Sequence, residues 1–118
     1  MRNCLTDAMD EIDRSLIRNW HNHKARALKT TILRKAGRND EALKLIEESL
    51  EIDRFNYGCL FEKYIITGDD DTLQLLKTMM RRCANNYDEV ALDYCAAGCT
   101  CEALKLWSIA IEEGALTR

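Results

Sequence analysis

Proline is missing from all 118 residues of this chain, where roughly 5% would be ordinary. Inside a helix, proline removes a hydrogen bond and clashes with the preceding turn. Its absence therefore permits nearly continuous helix, although it does not by itself prove one. Long apolar runs are missing too. No window approaches the roughly 18 apolar residues of a membrane span, and the sequence predicts no membrane segment. The opening MRNCLTDAMDEIDRS carries charge too early for a signal peptide and is followed by no apolar stretch. An excess of basic charge is likewise absent. The net charge of -3 argues against nucleic-acid binding, which calls for a basic stripe.

What is present is an ordinary water-soluble balance, with 47% hydrophobic and 31% charged residues. That is enough for one domain with a modest core. Six cysteines, Cys4, Cys59, Cys83, Cys95, Cys99 and Cys101, are many for such a chain. Most fall within helical patterns, where cysteine acts as a small apolar filler. Reduced packing thiols and a cytoplasmic location are therefore expected.

Apolar spacing of three and four residues predicts an all-α chain of about seven helices. Leu5, Ala8, Met9, Ile12, Leu16 and Ile17 mark the first, from Thr6 to Arg18, with Thr6 or Asp7 as its cap. Ala25, Leu28, Ile32 and Leu33 mark a second from Asn22 to Ala36, stopped by Gly37. Asn39 should cap a third through Ile52, with Ala42, Leu43, Ile46 and Leu50 inward. A fourth runs from Phe55 to Thr67 with Tyr57, Leu60, Phe61, Tyr64 and Ile65 inward, and carries Gly58 at a cost of about 1 kcal/mol against alanine. The run Asp69 to Asp71 opens a fifth that extends to Arg82. Asn86 with Glu89 suggests a capping box for a sixth. Thr100 should cap a seventh that ends at Gly114, with Ala103, Leu104, Trp107, Ala110 and Ile111 inward.

Gly37, Gly68 and Gly98 lie 31 and 30 residues apart, which suggests one helix-turn-helix unit used repeatedly. The last unit sets Tyr87, Val90, Ala91, Tyr94, Gly98, Ala103, Trp107 and Ala110 in a large-small-large order. Gly37, Ala42, Ile46 and Ser49 repeat its second half, and Ala8 precedes Ala42 by 34 residues. In these features the chain resembles the tetratricopeptide repeat family. The resemblance implies a single domain over residues 1–118, an α-α superhelix of antiparallel hairpins. Residues 5–20 would be the second helix of a truncated repeat, with repeats over 22–53, 54–84 and 85–114. Arg26 and Lys29 stand where the family has apolar residues, and Leu73 and Met80 replace small ones in the middle repeat, where their bulk should push the hairpin apart or change the local superhelix. The family's closing proline is absent, with Trp20, Arg54, Asn85 and Ala115 near those points. The uncapped ends suggest a segment of a longer array and offer a route to a homodimer. The last repeat also resembles arrays in bacterial proteins.

Residue types that can carry chemistry occur without the spacing that chemistry needs. His21-x-His23 has no third metal ligand at a standard distance. Cys95-x3-Cys99-x-Cys101 lacks a fourth ligand for structural zinc unless Cys83 contributes, and no C-x-x-C redox pair occurs. The acids Asp69 to Asp71, Glu47, Glu48 and Glu51 read as a helix start and a solvated face. No phosphate-binding glycine loop, nucleophile elbow or zinc-protease motif is found. No catalytic, metal or cofactor residues are therefore assigned, and no enzymatic activity is expected. The family resemblance implies a concave groove for a protein or peptide partner, lined by Lys24, Ala27, Thr31, Arg34 and Lys35, then Glu62 and Ile66, then Asp88, Leu92 and Cys95. Lys24, Arg34 and Lys35 would make one end basic and suited to an acidic segment. The alternatives are a spacer or self-association module within a larger protein and, from a different class, a cysteine-based zinc or redox module.

Overall fold

The computed structural model describes residues 4–19, 22–80 and 84–114, with backbone alone for residues 4–8 and 84. Trp20, His21, Arg82, Cys83 and Ala115 lie outside the described residues, as do the side chains of Cys4, Leu5 and Ala8. Among the described residues there are seven α-helices and no strand. They are α1 (Cys4–Arg18), α2 (His23–Lys35), α3 (Asn39–Ile52), α4 (Tyr57–Thr67), α5 (Asp70–Met80), α6 (Ala84–Ala96) and α7 (Thr100–Glu112).

Several helix starts differ from the sequence expectation, each for a local reason. α1 begins at Cys4, so Thr6 and Asp7 lie inside it rather than capping it. Asn22 caps α2, its side-chain oxygen accepting from the Ala25 amide at 3.2 Å. α3 and α7 start at Asn39 and Thr100 themselves, so Arg38 and Cys99, one residue earlier, take the N-cap position with no side-chain cap bond. α4 starts at Tyr57, two residues after the expected Phe55, because Asn56 supplies the cap, accepting from the Cys59 amide at 3.3 Å. The capping box at Asn86 does not form. α6 already runs from Ala84, and the Asn86 side-chain amide donates to the Met80 carbonyl at 3.1 Å.

The chain divides into two compact units, the first through Thr72 and the second from Leu73. In the first unit α2 is the central helix, packed against α1, α3 and α4, while α3 also packs against α4. Met9, Ile12 and Leu16 of α1 meet Ala25, Leu28 and Ile32 of α2. Ala42, Ile46 and Ser49 are buried along α3. Ile17 is 84% exposed, not inward. It sits one residue past Leu16, about 100° around the helix from the Ile12–Leu16 stripe.

In the second unit α6 and α7 form a hairpin. Tyr87, Val90, Ala91 and Tyr94 are buried as their spacing predicts. On α7 the buried stripe is Ala103, Leu106, Ile109 and Ala110, with Trp107 and Ile111 half-buried and Leu104 58% exposed. The buried stripe runs through Leu106 and Ile109, rotated by about one residue from the one expected through Leu104.

The α2–α3 and α6–α7 turns share the same closing backbone bonds, 61 positions apart. Arg38 donates to the Leu33 carbonyl at 2.8 Å, and Cys99 to the Tyr94 carbonyl at 2.8 Å. Gly37 donates to the Arg34 carbonyl and Gly98 to the Cys95 carbonyl, each at 3.0 Å. These paired bonds define a Schellman ending, whose left-handed residue is nearly always glycine. Gly37 and Gly98 take φ of 78° and 79° there. The helical hairpin therefore recurs in structure as well as in sequence.

Candidate functional site

The seam between α2 and α4 holds the most specific side-chain chemistry of the first unit. It starts from a close approach: a Cβ added at Gly58 would lie 2.8 Å from the Ala27 Cβ. The helices touch there because Gly58 has no side chain, which accounts for a glycine inside α4. One turn further on, Glu62 is 0% exposed. Its carboxylate accepts from the Arg34 Nε at 2.6 Å, a second Arg34 nitrogen at 3.3 Å and the Thr31 hydroxyl at 2.7 Å. The Thr31 hydroxyl also lies 3.2 Å from the Ala27 carbonyl. It has one hydrogen, and the carboxylate is the nearer acceptor. Asn56 adds a bond from its amide to the His23 carbonyl at 3.2 Å.

Arg26 points the other way and is 2% exposed. It donates to Glu48 at 3.0 Å and to the Ser49 hydroxyl at 3.2 Å, tying α2 to α3. Lys29 ties α2 to α1 through Asp13 at 2.8 Å. Both basic departures from the family pattern therefore have an acid on a neighbouring helix. Cys59 lies near Arg26, Thr30, Ser49 and Glu62, and burial pushes the pKa of its thiol up to about 12. The Ser49 hydroxyl opposes that shift, Glu62 adds to it, and Arg26 and Thr30 oppose it. A thiol held that firmly protonated is a poor nucleophile and a poor metal ligand.

An open cleft of about 430 Å³ lies among α1, α2 and α3. It combines apolar Met9, Leu33 and Leu45 with charged Asp13, Lys29, Arg38, Glu41, Lys44 and Glu48. Most of these charges are paired within the fold. Arg38 forks onto Glu41 at 2.9 and 2.6 Å, which raises the arginine pKa and, by that hydrogen bond, lowers the glutamate's.

In the second unit the Trp107 indole donates to Asp88 at 2.9 Å, linking α7 to α6. Lys77 pairs with Glu113 at 3.3 Å. The Tyr87 hydroxyl is buried without a hydrogen-bond partner among the described residues, and burial, then the nearby Glu113, raises its pKa. Cys95 and Cys101 are exposed, Cys99 is buried, and none of these three is in a disulfide. No group of three or more His, Cys, Asp or Glu placed to hold a metal ion occurs among the described residues.

The residues expected to line a groove are therefore distributed differently. Lys24 and Lys35 are exposed. Thr31, Arg34 and Glu62 do not face open solvent together, because α4 lies against that side of α2 and the three bond to one another in the seam. Asp88 is half-buried against Trp107, and Leu92 is 58% exposed. Some of the acids in the two runs have partners within the fold. Asp69 accepts from the Asp71 amide and the Thr72 hydroxyl at the start of α5, and Glu47 pairs with Lys63 at 3.0 Å. No helix among the described residues is long and apolar enough to cross a membrane. Comparison with protein-family models, curated proteins and solved structures finds no match to the chain.

Proposed function

We propose that this protein is a non-catalytic scaffold of tetratricopeptide type that holds a protein or peptide partner on its helical surface. The observation that carries this is the pair of hairpin turns with matching closing bonds, 61 positions apart, each followed by a fully buried alanine, Ala42 or Ala103. The packing order of the first unit supports it: α2 meets its own hairpin partner α3 and the next first-position helix α4, and α3 meets α4 too. Stacking of this kind leaves regularly spaced side chains on an extended face, the basis of binding by helical solenoids. A non-catalytic role is supported by how the polar groups are engaged. Arg26, Arg34 and Glu62 are committed to bonds between helices, and the Cys59 thiol is buried and protonated.

The basic end of the binding face is Lys24 and Lys35, both exposed. Arg34 is unsuitable as a surface control, since Arg34→Glu would place a second carboxylate beside Glu62. Partners captured from a lysate of the source organism by the wild type should be lost by Lys24→Glu with Lys35→Glu. Identical sets from both proteins would overturn the basic face as the binding surface. Self-association is the second reading, favoured by Leu92 and Leu104 at 58% exposure each. A dilution series by light scattering tests it directly.

A further inference from the structure

We draw no further inference here: the strongest candidate, the open cleft among α1, α2 and α3, has Asp13, Lys29, Arg38, Glu41 and Glu48 already bonded within the fold and sets Lys44 one helical turn from both Glu41 and Glu48, so nothing in the structure shows what would occupy it.

Discussion

Replacing Arg34 by alanine would leave the Glu62 carboxylate buried with the Thr31 hydroxyl as its one remaining side-chain donor of the three bonds described. Removing one partner of a buried ion pair costs about 3–5 kcal/mol, because the surviving charge is left poorly solvated. That is a large share of the roughly 5–15 kcal/mol that stabilises a domain. With a urea dependence of roughly 1.5–2 kcal/mol per molar, Arg34→Ala should lower the midpoint by about 2 M. The loss should be local first. Hydrogen exchange should quicken across residues 57–67 of α4, while α6 and α7 keep their protection, which far-UV dichroism alone would not distinguish. The companion is Arg34→Met with Glu62→Leu, which replaces both charges by apolar groups of similar size. Such swaps are often neutral or stabilising, and Thr31 retains the Ala27 carbonyl as an acceptor. The double variant should recover most of the lost stability. An Arg34→Ala cost below about 1 kcal/mol, the range of an exposed pair, would refute the account of a buried, water-excluded seam. A double variant no better than the single one would refute it equally.

Gly58→Ala should destabilise by about 1–3 kcal/mol through overpacking against Ala27, despite the better helix propensity of alanine. Ala27→Gly should restore part of the loss in a thermal melt. Cys59 should resist a thiol reagent in the native protein at pH 8 while Cys95 and Cys101 react. Because its folded pKa is raised to about 12, the folded state keeps a proton that the unfolded chain releases near 8.5. The stabilising contribution is therefore complete below that value and declines as pH rises toward 12. Urea midpoints at pH 8 and pH 10 should differ less in Cys59→Ala than in the wild type. Asp88→Ala should free the Trp107 indole, shifting its emission and costing about 1 kcal/mol.

The helices and the repeat were legible because they depend on local signals. Apolar spacing located all seven helices, and the glycines located the turns, because a left-handed backbone position excludes most other residues. Caps were harder. Asn56 stands one residue past Phe55, and an asparagine three positions before an amide donor is the signal that would have found it. The seam was not legible. Arg26 and Lys29 stood out as departures, but their partners lie on other helices, Glu48 and Ser49 on α3 and Asp13 on α1. The same limit applied to Thr31, Arg34 and Glu62. A polar residue on a helix face reads as solvent-facing until the neighbouring helix is placed, and no spacing within α2 announces α4.

The seam between α2 and α4 also sets an order of events during synthesis. Arg34 and Thr31 are made 28 and 31 residues before the acid that engages them. At roughly 5–20 residues per second, the α2–α3 hairpin, complete at Ile52, waits about 0.5–2 s for its acid, closed at its turn but with a basic face turned to water. Arg26 completes its bonds to α3 earlier, once Ser49 has emerged. The hairpin can thus hold its own shape from within while α4 is still being made, and Glu62 locks the next helix in place on arrival.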